Sequence, residues 1–520
     1  MGTFIESGYF WKGGQTLKVP MELFKLNRQR LCEALRSHRT LPSDSFVLLK
    51  GGTSEMRYCS DHEPLFRQES YFHWAFGVVE PDFFGAINVQ NNQSFLFIPR
   101  LPSSYVAWMG KIKEPNEFKH IYDVDHVYYV DELEEIFNEL VGKSKLILVL
   151  SGLNTDSGSE SKPAHFDGIE KFHVDKLTLH PIINECRVSK TDLELDVLRY
   201  TNKISSEAHK FVMLNIKDGM HEYEIEALFQ YYCHRYGAMR HMSYTCICAT
   251  GENPATLHYG HAGAPNDRQL ASRDMCLFDM GGEYCCYASD ITCSFPVSGH
   301  FTNEQRTIYE AVLAANRQVM KSVGPNVSWV DMHLLAERIQ LEHLKEAGLV
   351  QGDIDEMVNA RLGALFMPHG LGHLIGIDTH DVGGYLDPQT RSILPGLKSL
   401  RTNRLLKERM CITIEPGIYF NQALLNDAYN NDELNKFLNK NIIDKYLHIG
   451  GVRIEDNIVI TKDGCELLTK VPRTCDEIEE WMKHNNKSVI DNVDYQLFDE
   501  LNKKISISKS IFNYKNEQLK

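Results

Sequence analysis

The chain has 520 residues and a mass of 59.6 kDa, more than one hydrophobic core usually serves, so two domains are expected. Apolar residues make up 43% and charged residues 24%, the balance of an ordinary soluble globular protein. A formal net charge of −15 argues against nucleic acid or an anionic membrane as the main partner.

The amino terminus, Met1-Gly2-Thr3-Phe4-Ile5-Glu6-Ser7-Gly8, has no basic stretch leading into an apolar run and so shows no secretory signal. Glu6 stands where a myristoylation motif wants Ser or Thr. No apolar run is long enough for a transmembrane helix. The 13 cysteines are scattered and include no CxxC pair, which predicts free thiols in a reducing compartment. Sequons at Asn92, Asn326 and Asn486 are read as chance matches, and the expected location is the cytoplasm.

Residues 46–49, 95–97 and 146–150 are short apolar runs bounded by loop formers, as buried strands would be. Residues 151–162 are polar loop by composition. Thr191 and Glu194 form a capping-box pair that opens a helix, with Leu193, Val197, Tyr200, Ile204, Ala208 and Phe211 on its apolar stripe and Gly219 as its stop. Thr302 and Gln305 open another helix carrying Ile308, Val312, Ala315 and Val319. Residues 275–297 between them are strand-rich. The expected organisation is an N-terminal α/β domain over 1–185, an α+β domain over 186–482, and an extension over 483–520. Residues 421–445, rich in Asn, read as decoration.

Five segments of the second half place carboxylates and histidines beside glycines and apolar runs. They are Leu277-Phe278-Asp279-Met280-Gly281-Gly282, Ala288-Ser289-Asp290-Ile291-Thr292, Pro368-His369-Gly370-Leu371-Gly372-His373, Ile412-Thr413-Ile414-Glu415-Pro416-Gly417 and Gly451-Val452-Arg453-Ile454-Glu455-Asp456. A carboxylate at the end of a buried strand needs a cation, a donor cluster or a proton. Each has a plain reading on its own, Asp279 as a turn residue and His373 as a core histidine. Together they point to metal. Asp279, Asp290, Glu415 and Glu455 bring four negative charges, which two divalent ions would neutralise, and oxygen-rich ligation with one imidazole suits Mn²⁺ better than zinc. Asp279 and Asp290 lie an odd interval apart, so they converge only if the chain turns between them, for which Gly281-Gly282 is the expected place. Two adjacent ions can hold a hydroxide and polarise a carbonyl, the equipment for amide hydrolysis. No Gly-x-Ser-x-Gly elbow or phosphate loop competes with that reading.

At these segments the chain resembles the pita-bread metallopeptidases, the fold of methionine aminopeptidase, aminopeptidase P and prolidase, whose ligand order is Asp, Asp, His, Glu, Glu. Residues 257–268, 276–284 and 368–384 are similar to eukaryotic prolidases in particular. So are Leu17-Lys18-Val19-Pro20, Asn27-Arg28-Gln29-Arg30-Leu31, Phe72-His73-Trp74-Ala75-Phe76-Gly77 and Trp108-Met109-Gly110-Lys111-Ile112, so the likeness runs over roughly residues 8–480. The resemblance implies an α/β N-terminal domain before a pita-bread catalytic domain and hydrolysis of Xaa-Pro dipeptides. It implies metal ligation by Asp279, Asp290, His373, Glu415 and Glu455, with Asp290 and Glu455 bridging. It also implies a proton shuttle at Glu415, an oxyanion donor at His380, orientation by His369, and capture of the substrate carboxylate by Arg401 and His258. Trp108 is implied as a lid in a homodimer. Arg453 is read as a substrate-side residue, a partner of a metal ligand, or a structural ion pair. Aminopeptidase P is the nearest alternative, and a catalytically dead binding module the alternative of another class.

Overall fold

The computed structural model describes residues 5–6, 8–142, 144–386 and 390–484. The extension over 483–520 therefore lies outside the described residues except for Lys483 and His484. The chain forms two compact units, one of residues 1–197 with 284–287 and 376–388, the other of the remaining segments. Among the described residues no helix is long and apolar enough to cross a membrane.

The first unit is built on a mixed six-stranded sheet in the spatial order His126–Tyr129, Ser94–Ile98, Phe84–Asn88, Phe46–Lys50, Leu146–Val149, His173–Asp175. The apolar runs at 46–49, 95–97 and 146–150 are three of these strands. Alternate residues Phe46 and Leu48, Phe84 and Ala86, Phe95 and Phe97, and Ile147 and Val149 share one core with Phe137, Phe166 and Phe172. Val47, Leu49, Ile87, Leu96 and Leu148 are buried as well, so both faces are covered and the strands read as unbroken apolar runs. Phe137, from the helix Leu133–Leu140, meets Phe46, Phe97, Phe166 and Phe172 with ring centroids 5.6–6.1 Å apart. Truncating it to Ala would cost about 3–5 kcal/mol.

The second unit uses one plan twice. The helices Asp192–Asn215 and Glu222–Gly237 precede an antiparallel sheet of Ile247–Thr250, Met275–Asp279 and Thr292–Pro296. The helices Asn303–Ser322 and Trp329–Glu346 precede an antiparallel sheet of Cys411–Ile414, Asp456–Thr461 and Gly464–Leu467. Both capping boxes form: the Thr191 amide donates to Glu194 at 2.7 Å, and the Thr302 amide to Gln305 at 3.0 Å. Ile308, Val312, Ala315 and Val319 are all buried. The first helix ends at Asn215, before Gly219, whose φ of +86° belongs to the turn that follows.

Two expectations need adjusting. The reversal between Asp279 and Asp290 falls at Cys285-Cys286, with φ of 51° and 61°, inside a turn closed by paired Tyr284 and Tyr287 backbone bonds. Gly281 is needed instead for close approach, since a Cβ there would lie 1.8 Å from the Ser289 carbonyl oxygen. The Asn-rich stretch folds into the helices Gln422–Tyr429, Asp432–Asn435 and Lys440–Ile443, burying Leu425, Ala428, Phe437 and Ile443. All 13 cysteines are free thiols.

Candidate active site

Strand ends deliver the carboxylates. Asp279 closes its strand opposite Thr292, and Asp290 lies two residues before Thr292 on the paired strand. Glu415 follows the strand Cys411–Ile414, and Glu455 precedes Asp456, which pairs with Ile414. His373 arrives on an irregular segment stitched to the strand of Glu415: its amide donates to Thr413 Oγ1 at 3.0 Å, and the Thr413 amide donates to its carbonyl at 2.9 Å.

Ligand atoms of Asp290, His373 and Glu455 lie within 4.8 Å of one another, and all three residues are buried. His373 Nδ1 donates to the Leu374 carbonyl at 3.1 Å, leaving Nε2 3.3 Å from Asp290 Oδ2 and 3.4 Å from Glu415 Oε1. Asp279 accepts from Tyr244 Oη and from Arg453 Nη2, each at 2.6 Å. The remaining Arg453 donors reach Tyr419 Oη at 2.8 Å and Thr292 Oγ1 at 3.0 Å, so its guanidinium is engaged as the partner of Asp279. Thr292 Oγ1 in turn donates to Glu455 at 2.7 Å.

This cluster is starved of positive charge. Burial, and then the neighbouring Asp290, push Asp279 up to about 7 despite Arg453. Burial, then Asp290, Glu415 and Asp279, push Glu455 well above the ordinary carboxyl value. Glu415 is raised by burial and by Asp290, against the pull of His373. Burial opposes protonation of His373, but Asp290 and Glu415 raise it overall. Three buried carboxylates and half-buried Glu415, with only Arg453 and His373 in direct contact as cations, require protons or metal ions. An oxygen-rich set with one imidazole fits divalent metal ions.

His369 sits against this cluster. Its Nδ1 donates to the Gly370 carbonyl at 2.7 Å, so Nε2 accepts from Tyr419 Oη at 2.9 Å. Burial and the Arg453 charge lower its pKa to about 3, which keeps the ring neutral. Burial, then Arg453 and Arg401, also lower His258. The charge of half-buried Arg401 lowers Glu415 too.

Trp108 and His380 belong to the other compact unit. Trp108 is 84% exposed on the short helix Val106–Met109. His380 is exposed, and its flanking carboxylates are tied down. Arg187 Nη2 donates to Asp378 and to Asp381, each at 2.7 Å, and Lys190 Nζ donates to Asp381 at 2.8 Å.

Sequence reasoning missed Tyr244, Tyr419, Thr292, Thr413 and Asn316. Thr413 was findable, since it alternates onto the same strand face as Glu415. Buried Asn316 donates to the carbonyls of Ile414 at 3.1 Å and Ile454 at 3.3 Å, the residues just before Glu415 and Glu455. It reads in sequence only as a helix residue. Tyr244 and Tyr419 reach their partners across folds of the chain and leave no local signal.

Residues 24–149 match the N-terminal domain of aminopeptidase P, and residues 196–462 match metallopeptidase family M24. The chain is 57% identical to the Xaa-Pro dipeptidase of Homo sapiens over 92% of its own length and 97% of that protein. Against the Xaa-Pro dipeptidase of Mus musculus it is 55% identical, over 92% of its own length and 97% of the relative. Among solved structures, the aminopeptidase PepP of Pseudomonas aeruginosa superposes with a TM-score of 0.73 at 28% identity, covering 90% of this chain and 99% of that one. The architecture is accordingly an aminopeptidase P N-terminal domain followed by a pita-bread catalytic domain. With the buried Asp290, His373 and Glu455 brought together and Glu415 against them, the chain belongs to metallopeptidase family M24.

Proposed function

We propose that this chain hydrolyses Xaa-Pro dipeptides, releasing C-terminal proline, with two divalent ions, Mn²⁺ by preference, as cofactors. The observation that carries this reading is the meeting of buried Asp290, His373 and Glu455 with Glu415 3.4 Å from His373. The half-buried Arg401, whose charge lowers both His258 and Glu415, is the cation suited to a substrate with a free carboxylate one residue from its scissile bond. The likeness to human and mouse Xaa-Pro dipeptidases supplies the proline specificity.

Asp279, Asp290, His373, Glu415 and Glu455 would hold the ions. Bound divalent ions supply Lewis acidity toward a peptide carbonyl and make water easier to deprotonate at neutral pH. Glu415 takes the proton from the attacking water and delivers it to the departing proline nitrogen. Burial and the neighbouring Asp290 raise its pKa, which favours its taking up a proton. His380 donates to the developing oxyanion, and neutral His369 orients the substrate from beside Glu415. Arg401 and His258 hold the terminal carboxylate, and Arg453 fixes Asp279. Trp108 covers the substrate within a homodimer, a role in keeping with the exposure of Val106, Trp108 and Met109. The domains divide at residues 185 and 186, near the break between the helices Leu179–Val188 and Asp192–Asn215. The free thiols suit the cytoplasm.

The test is hydrolysis of Gly-Pro beside Gly-Pro-Ala by chelated protein with and without Mn²⁺, in wild type and Glu415→Ala. Cleavage of the dipeptide alone, restored by Mn²⁺ and lost in the variant, is the expected result. Faster cleavage of the tripeptide would move the assignment to an aminopeptidase P activity. No metal-dependent cleavage of either would leave a binding module.

A further inference from the structure

A buried carboxylate outside the metal cluster holds two of the site's loops in register. Glu337 lies on the helix Trp329–Glu346 and is fully buried, as is His333 one turn earlier. The Leu371 amide donates to His333 Nδ1 at 3.2 Å, so the ring proton sits on Nε2, which donates to Glu337 Oε1 at 3.0 Å. Leu371 is midway between His369 and His373. On the other side, Arg361 Nη2 donates to the same Glu337 oxygen at 2.7 Å. Arg361 also donates from Nε and Nη2 to the Pro395 carbonyl, at 3.1 and 3.0 Å. Pro395 begins the turn that leads through the 3₁₀ segment Leu397–Ser399 to Arg401.

The surroundings are shaped around this carboxylate. A Cβ on Gly363 would lie 2.8 Å from Glu337 Cβ, and one on Gly396 would lie 2.8 Å from Glu337 Oε1 and 3.0 Å from Arg361 Nη2. Arg361 follows the helix Ile354–Asn359 with a left-handed backbone, φ 59°, in a cap where the Arg361 amide donates to the Val358 carbonyl and the Leu362 amide to the Met357 carbonyl, each at 3.0 Å, and this turn fixes where its side chain starts. The two loops meet directly nearby, where a Cβ on Gly370 would lie 2.8 Å from Leu400 Cα. The same helix adds parallel tethers, from Trp329 Nε1 to the Gly372 carbonyl at 3.1 Å and from Gln340 to the Gly417 carbonyl at 3.0 Å. A carboxylate needed only for helix stability would not require two close-packed glycines and partners on two separate loops.

We propose that Glu337 is a positioning residue that registers the histidine loop against the loop carrying Arg401, through His333 on one side and Arg361 on the other. The inference rests on the dipeptidase reading, in which His369 and His373 serve the scissile bond while Arg401 holds the terminal carboxylate. The distance between those two functions is what defines a dipeptide. Glu337 thus acts on substrate length and end-group recognition without touching substrate.

The experiment compares kcat/KM for Gly-Pro with that for its C-terminal amide, in the Mn²⁺-loaded full chain, for wild type, Glu337→Gln and Arg361→Met. The ratio of the two measures carboxylate recognition. A register error of about 1 Å is enough to cost of the order of a hundredfold, so both variants are expected to lower the ratio about tenfold or more, mainly through KM for the dipeptide. Arg361→Met guards against a Glu337 variant that fails to fold, because Arg361 lies at the edge of the site with 10% of its side chain exposed. A lower Tm with both substrates slowed equally and the ratio unmoved would make Glu337 merely structural and overturn the proposal. A ratio near one in the wild type would instead overturn the dipeptidase reading itself, whatever the variants do.

Discussion

Removing the ions exposes the electrostatic load of the site, and its size follows from the structure. In the metal-free protein Asp279 keeps its proton up to about pH 7, against 3.8 for an ordinary aspartate. Because each tenfold in that equilibrium is worth ~1.4 kcal/mol, an ionised Asp279 costs the fold about 4 kcal/mol relative to the unfolded chain. The stabilisation is fully present below pH 3.8, where both states carry the proton. It is lost as pH rises, because the unfolded chain releases its proton first, and it is gone once pH passes about 7. Glu455, raised further by burial and by its three carboxylate neighbours, extends the same trend upward.

Divalent ions invert this dependence. They bind ionised carboxylates, so they must displace those protons, and their affinity grows as pH rises. The chelated protein should therefore lose thermal stability between pH 3.8 and about 7, and the gap in Tm between Mn²⁺-loaded and chelated protein should widen over that window. A 4 kcal/mol change corresponds to roughly 5–10 °C for a domain of this size. Differential scanning calorimetry at several pH values measures the gap, and Mn²⁺ titration in buffers of different ionisation enthalpy counts the protons released. A gap that stays constant with pH, with no proton release near neutrality, would refute the account of the buried carboxylates.

Three further outcomes are expected. Arg401→Ala should raise KM for Gly-Pro about 10–100-fold, the worth of a charge-assisted carboxylate contact, and an unchanged KM in steady-state assays would place the carboxylate elsewhere. Arg473→Met should destabilise the chain by about 3–5 kcal/mol in urea unfolding. It removes a guanidinium 2.8 Å from buried Asp456 that also holds the Thr292 carbonyl at 2.8 Å, and a loss under 1 kcal/mol would mean that Arg317 suffices for Asp456. Trp108→Ala, at a site 84% exposed, should change unfolding free energy by no more than about 0.5 kcal/mol. It should nonetheless lower kcat/KM severalfold, and unchanged kinetics would remove it from the substrate path.

Much of the site was legible because its chemistry conflicts with its surroundings. Asp279 after Leu277-Phe278 and Glu415 after Ile412-Thr413-Ile414 put charge at the ends of apolar strands, where it needs a cation, a donor cluster or a proton. The helix starts at Thr191 and Thr302 were legible for a different reason, since a capping box is a contact between residues three apart. What escaped was either long-range or masked by composition. Tyr244 meets Asp279 and Asn316 meets Ile454 only in the folded chain. The Asn-rich stretch read as decoration because asparagine is a poor helix former. Yet Asn421 and Asn431 sit at N-caps, where their side chains accept from Ala423 and Leu424 and from Glu433. The turn at Cys285-Cys286 escaped because left-handed backbone is normally assigned to glycine, and two glycines stood nearby.

The odd spacing of Asp279 and Asp290 poses a puzzle only on a single strand. On an antiparallel pair the relevant quantity is register, and Asp279 pairs with Thr292. Asp290 is two residues from that partner, so both carboxylates point to the same face as diagonal neighbours. In the second half Ile414 pairs with Asp456, and the register carried one residue further sets Glu415 directly opposite Glu455. Each strand pair thus offers two carboxylates from one open end, although one pair is joined by a short turn and the other by a connection containing three helices. Connection length is therefore free to vary while parity is not, because a slip of one residue would turn a ligand to the opposite face. This explains how residues 421–445 can form three helices between Glu415 and Glu455 without disturbing the carboxylates. It also explains why Asn316, which binds the carbonyls of Ile414 and Ile454, is well placed to lock the second pair at the point where its ladder ends.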